Sequence, residues 1–554
     1  MPSTSPTDTT TSAPGRWRVV VLLALGQFVM VLDGSVMNVS ISRLVADLDT
    51  SVVAIQGAIT AYTLVMAAFM LTGGKVGDLI GRRRAFQVGL GIYGVGSLLT
   101  ALAPNLGVLL LGWSLIEGVG AVLVVPAIAA LIAGNYRGAE RGAAYGIVGG
   151  VAAAAVAVGP MIGGFVTTQW SWRWVFVAET VISLALVVAS WQIDDVAPPR
   201  RDALDLGGAA LSAIGFALVV TAILQSRTWG WVEPRRPPSV GGRELTVVGF
   251  APTLPLLLAG VGVLWAFAWW ERRREAAGRS VLVHLELLAV PQLRAGLVAL
   301  LSQQVILAGT FFVLPLFLQV VLGLDAFQSG ARLFPLSLAM FVAAMGGARL
   351  GSRRAPRRIV RAGLGVLLVA LLVLIGVADP ELASLPFALA MALAGAGVGL
   401  MASQLGNVIQ SAVDDSRSGE AGGLQGTAQN LGSSVGTALV GAVLLLGLSG
   451  GFVQAVSSDP SLSPPLVAAV SARAEGGLDF VATDAVVEAA TAAGVAPAAV
   501  ETLGVAYSEA QIDALRSAFG LLALLVVVAL LFTRQLPDAP LRTQPTDAGA
   551  EAVT

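Results

Sequence analysis

"GGKVGDLIGRRRAF", residues 73–86, lies between two apolar stretches, "AITAYTLVMAAFMLT" (58–72) and "QVGLGIYGVGSLLTALA" (87–103). A helix needs about 20 apolar residues to cross the hydrocarbon core of a bilayer. Each flank approaches that length. The lysine, aspartate and arginines between them mark a short turn at a membrane surface.

The rest of the chain repeats this pattern. Of 554 residues, 56% are hydrophobic and 12% charged, against about 25% charged in soluble domains. Net charge is −1, which gives no basic surface for nucleic acid. The absence of cysteine excludes disulfides, thiolate metal sites and cysteine nucleophiles. A single histidine, His284, excludes histidine-cluster metal sites, and no cofactor is expected. Glycine is abundant at 65 residues, as suits close helix packing in lipid. No phosphate-cradling G-x-x-x-x-G-K-[ST] loop occurs, so transport would be powered by a gradient.

Fourteen spans are predicted near 17–40, 54–74, 85–103, 107–133, 142–167, 173–193, 206–225, 248–270, 294–321, 330–350, 360–378, 385–410, 422–448 and 513–533. Asp205 precedes the seventh as an N-cap. The stretch 1–15 reads as a disordered tail. With an inside N-terminus, Arg16, Arg18, Lys75, Arg82–Arg84, Arg137, Arg141, "RRREAAGR" (272–279) and "RRAPRRIVR" (353–361) all face the cytoplasm. Both termini are then cytoplasmic. The acidic, Ala-rich segment 449–511 forms an outer loop with short helices or a small cap.

The opening block resembles the loop signature of the major facilitator superfamily, G-x-L-x-D-r-x-G-r-[KR]-[KR]. Gly74, Asp78, Gly81, Arg82, Arg83 and Arg84 match it, and Val76 replaces Leu. The resemblance implies a gating latch between two bundles. Three further stretches are similar to the 14-helix drug–proton antiporters of that superfamily. "LDGSVMNVSI" (32–41) resembles their helix 1 signature through Asp33 and Asn38. "AVAVGPMIGGFV" (155–166) resembles the helix 5 antiporter motif through Gly159, Pro160, Gly163 and Gly164. "GLQGTAQNLGSSVGTALVGAV" (423–443) is similar to their penultimate helix. The resemblance implies an all-α membrane protein with two six-helix bundles, 16–195 and 292–534. Two inserted helices at 203–272 would separate them, and a cytoplasmic tail at 535–554 would follow.

Two departures stand out. The helix 4 pattern R-x-x-Q-G-x-G-A reads "SLIEGVGA" (114–121) here, with Ser114 for Arg and Glu117 for Gln. Glu179 stands where Asn is common. Acids within spans are costly and functional by default, so Asp33, Glu117 and Glu179 are the candidate proton-coupling residues. At 1.5 Å per residue Glu117 falls near the midplane, with Asp33 and Glu179 in the outer half. Each also admits a plain structural reading: a cap for Asp33, a neutral interhelical hydrogen bond for Glu117, a solvated interface acid for Glu179. Asn38, Tyr62, Gln303, Phe311, Gln404, Asn407, Gln429 and Asn430 are candidate substrate-lining residues, and equally ordinary packing.

The reading that follows is not an enzyme. It is a monomeric, proton-coupled exporter of amphipathic small molecules such as drugs or antibiotics, cationic ones included, in a bacterial cytoplasmic membrane. It would work by alternating access with protons as the second partner. The alternative is a proton symporter importing a small nutrient.

Overall fold

A computed structural model of the chain describes residues 15–540 apart from 51, 195–202, 235–236, 241–242, 245, 247–248, 352, 380–383, 415–416, 476–477 and 479. Residues 1–14 and 541–554, most of the two predicted tails, lie outside it.

Each of the fourteen predicted spans coincides with a helix. The first six are α1 (Gly15–Val39), α2 (Val52–Ile80), α3 (Arg82–Ala101), α4 (Leu106–Asn135), α5 (Gly138–Gln169) and α6 (Arg173–Ala189). The inserted pair is α7 (Leu206–Trp229) and α8 (Thr253–Ala276). The last six are α9 (Pro291–Val321), α10 (Ala326–Gly351), α11 (Pro356–Val377), α12 (Ser384–Gln410), α13 (Ser418–Ser458) and α14 (Pro497–Phe532). Among the described residues, twelve helices are long and apolar enough to cross a membrane, and α5 makes a thirteenth as a pair of segments bent by 42°. The remaining one, α3, begins in the arginine run, and its arginines and glycines lower its hydropathy. Large apolar side chains such as Val95, Leu102, Val188 and Trp265 are exposed, as expected for surfaces facing lipid rather than water.

Glycine contacts set how closely the first helices approach. Gly89 and Gly96 of α3 meet Gly120 and Gly112 of α4, backbone against backbone. The first pair is seven residues apart and the second eight. Residues Leu110–Glu117 of α4 are wound as a π-helix, whose wider turns absorb the extra residue. Such insertions recur at functional sites.

Buried apolar side chains form one core through α9–α14 and others through α1–α6. The inserted pair packs on the seam between them. Leu71 of α2 joins Ala209, Phe267, Leu282 and Val283 in one cluster, and Ala438 of α13 joins Val219 and Ile223 in another. Asp205 caps α7 as predicted, accepting a hydrogen bond from the Gly208 amide at 3.0 Å.

Some boundaries need correction. Helices α13 and α14 run well past the predicted spans, so the loop 449–511 shrinks to a connection holding two short helices, Pro464–Glu475 and Thr483–Ala492. Tyr507, Gln511 and Phe452 bury themselves there. A two-residue hairpin, Ser239–Val240 with Arg243–Glu244, interrupts the otherwise helical chain. The tail begins later than residue 535, because Leu536 is buried in the second core and Asp538 pairs with Arg357 at 2.7 Å.

Candidate functional site

Three acids from three helices converge in the first bundle. Asp33 on α1, Glu117 on α4 and Glu179 on α6 each place a carboxylate oxygen within 4.8 Å of the other two. All three are buried, at 0%, 0% and 1% exposure. The depth difference inferred from residue counting therefore disappears, and Glu179 is not a solvated interface acid. No Lys or Arg among the described residues pairs with any of them. Three carboxylates this close in apolar surroundings cannot all be charged.

Neutral polar groups surround the cluster. The Trp113 indole N–H is shared between Asp33 Oδ1 and Oδ2, at 2.8 and 2.9 Å. Trp113 itself stacks on Tyr62, centroids 5.0 Å apart and planes 5° apart. Tyr93 donates to Glu179 Oε2 at 3.4 Å. The Thr100 hydroxyl lies 3.3 Å from Glu117 Oε1 and donates to the Gly96 carbonyl at 2.8 Å. Ser114, standing where the family has Arg, donates to the Ala58 carbonyl of α2 at 2.9 Å.

The glycines of the helix 5 motif bring α5 against the helix that carries Asp33. A methyl on Gly159 would collide with Ser35, and one on Gly163 with Val36. Gly164 is buried. The bend of α5 falls between Val156 and Met161, around Pro160, whose side chain, like that of Asn38, lies outside the described residues.

The block at 73–86 forms the turn between α2 and α3. Gly81 has φ +97°, a conformation that favours glycine, and it alone separates the two helices. Arg82 pairs with Asp78 at 3.7 Å. Arg83 reaches the Ile193 carbonyl at 3.2 Å, and Arg84 is exposed. Gly74 packs on the Gly419 backbone, and a methyl on Gly419 would overlap the Asp78 carboxylate. Asp78 thus sits against the first turn of α13, where a helix favours a negative charge.

Beside it lies an arrangement that the sequence reading missed. Lys75 pairs with Glu420 of α13 at 3.2 Å, both fully buried. Glu420 also accepts from the His284 amide at 3.0 Å and contacts its Nδ1 at 2.9 Å. The segment bearing His284 is held in turn by Glu271 of α8, which accepts from the Leu282 amide at 2.8 Å. On its exposed side Arg417 holds the Glu286 carboxyl below the usual carboxylate range. The signal was that Lys75 and His284 are each the only residue of their type.

The candidate lining residues scatter. Gln303 reaches the Val398 carbonyl at 3.4 Å and Gln404 the Gly347 carbonyl at 2.9 Å, contacts between helices of the second bundle. Asn407 accepts from Arg141 of α5 at 3.0 Å, tying the two bundles. Asn430 bonds back to Gly426 of its own helix at 3.0 Å. Phe311 packs on the second core, and Gln429 is half-buried.

Fold and site together define a multi-pass helical membrane protein with a buried acid cluster in one bundle and buried contacts between the bundles at Gly74 and Lys75. The Major Facilitator Superfamily model matches residues 23–437, and the chain belongs to that family of transporters. It is 32% identical to the puromycin resistance protein pur8 of Streptomyces alboniger, over 81% of this chain and 85% of that one. It is 30% identical to the probable actinorhodin transporter of Streptomyces coelicolor, over 80% and 75%. The multidrug resistance protein Stp of Mycobacterium tuberculosis is 27% identical, over 78% and 77%. Among solved structures, the human organic anion transporter MFSD10 superposes with a TM-score of 0.56, covering 94% of this chain and all of that one at 13% identity. That likeness concerns the fold alone.

Proposed function

We propose that this chain is a proton-coupled antiporter that exports amphipathic, antibiotic-like small molecules from a bacterial cytoplasm by alternating access. The observation that carries the reading is the convergence of Asp33, Glu117 and Glu179 in the first bundle, where no described Lys or Arg pairs with them. A buried site of this kind holds protons. It releases them when opened to water at higher pH, or when a cationic substrate takes their place. The names of the relatives, resistance and export proteins, supply the direction and the substrate class.

Two bundles, 16–195 and 292–534, would rock about this site, with 203–272 as the inserted pair. The face bearing Lys75, Asp78 and Arg82 would be cytoplasmic, and the contacts of Gly74 with Gly419 and of Lys75 with Glu420 would hold it closed. Gly74, Gly81 and Arg82–Arg84 serve this latch. The bent, glycine-lined α5 serves as the seam.

The test is drug susceptibility in a bacterial host lacking its own exporters, on a panel that includes puromycin and lincomycin, paired with drug-driven proton release in everted vesicles. Resistance together with proton release, both lost in Asp33→Asn, is expected. Resistance unaffected by Asp33→Asn, or uptake in place of efflux, overturns the reading.

A further inference from the structure

The cluster is not symmetric. Asp33 has both oxygens occupied by one donor, the Trp113 indole N–H at 2.8 and 2.9 Å. Glu117 Oε2 and Glu179 Oε1 are buried without any partner. The indole is a donor only, and a proton shared across both oxygens of a carboxyl suits the ionised form. Glu117 meets the opposite condition. The single proton of the Thr100 hydroxyl already goes to the Gly96 carbonyl at 2.8 Å. Glu117 Oε1, at 3.3 Å from the same hydroxyl, receives only the weaker share of that proton.

We infer that Trp113 is a positioning residue which makes Asp33 the ionised, exchanging member of the cluster, while Glu117 and Glu179 stay neutral beside it. The inference rests on the proton-coupling reading above and divides its labour among three acids. The groups facing Asp33 are consistent with it. Glu117 comes from α4, Glu179 from α6 and the Tyr93 hydroxyl from α3. Helix α2 contributes Tyr62, stacked on the far side of the indole, and α5 packs its glycines and Ala155 on α1. Two neutral glutamic acids leave a single negative charge in the site, held by the Trp113 donor with the Tyr93 hydroxyl beside it. Trp113 and Glu117, four residues apart on α4, share one face of that helix. One segment therefore supplies both the donor to Asp33 and the neutral acid next to it.

The experiment uses the full chain reconstituted in lipid without drug. Infrared difference spectra are recorded through a pH titration, following the C=O stretch of protonated carboxyl groups. One titrating band is expected, and it should vanish in Asp33→Asn. The band should persist in Glu117→Gln. Trp113→Phe keeps the ring stacked on Tyr62 but loses the N–H, and should move the midpoint up by about one to two pH units. A band that survives Asp33→Asn, one that disappears in Glu117→Gln, an unmoved midpoint in Trp113→Phe, or no titrating band overturns the inference. The Asp33 and Glu117 substitutions are near-isosteric and decide the matter if the Trp113 variant does not accumulate. Failure of the antiporter reading would look different: Asp33 would titrate as described, yet drug would release no protons from vesicles.

Discussion

Replacing Lys75 with Met should open the face that the latch closes. Lys75 Nζ lies 3.2 Å from Glu420 Oε1, with side chains 2% and 0% exposed. At an effective dielectric of about 20 the attraction at that distance is about 5 kcal/mol. Separation of the bundles would return water to both ions, and rehydration offsets most of that figure. A net bias of about 1–3 kcal/mol toward the closed face remains, a factor of about 5 to 150 in the ratio of closed to open. Lys75→Met removes this bias and leaves Glu420 with His284 alone. The chain has no cysteine, so spin labels can be placed at Arg137→Cys and Arg354→Cys, both exposed and in different bundles. Electron–electron distance measurements should show the short population shrinking in favour of a longer one. Glu420→Gln should act in the same direction, and the double variant should fall short of the sum. An unchanged distance distribution in Lys75→Met would refute the reasoning, because a lock that carries no bias is only packing.

Further outcomes follow from the same geometry. Asp33→Asn should abolish drug-driven proton release while the protein still accumulates in the membrane, measured in everted vesicles beside an expression blot. Asp78→Asn should leave the dissociation constant of a bound drug unchanged but slow turnover, since it touches the first turn of α13 and not the acid cluster; flux and equilibrium binding separate the two. Gly96→Ala places a methyl against Glu117 and the Gly112 carbonyl, and overpacking of that kind costs about 1–3 kcal/mol, visible as a lower melting temperature in detergent. Gly81→Ala should also lower it, through the positive φ at the turn, with the acid cluster untouched.

The helices were legible because apolar runs of about 20 residues leave few alternatives in lipid. The three acids were legible for a related reason: an ionisable group at that depth needs a partner or a purpose. Their meeting was not. Counting residues along each span put Glu117 deeper than Asp33 and Glu179, and it could not register the π-helical stretch that ends at Glu117. Trp113 was hidden by its type, since a tryptophan in a span reads as packing until its N–H is seen to have one place to go. Lys75 and Glu420 are 345 residues apart in the chain, and only the closed fold brings them together. The ends of α13 and α14 were missed because amphipathic Ala-rich sequence continues a helix beyond the bilayer without any apolar signal.

That continuation has a mechanical consequence. Helix α13 has 41 residues, or about 60 Å at 1.5 Å per residue, twice the hydrocarbon thickness of about 30 Å. Its far half, together with α14 and the two short helices, is a rigid arm fixed to the second bundle. Were that bundle to tilt by about 10°, the tip of this arm of about 30 Å would sweep about 5 Å. A fluorophore on Thr491, far from every transport residue, would then report the state of the buried site, and a binder gripping the arm would hold the transporter in one phase of its cycle.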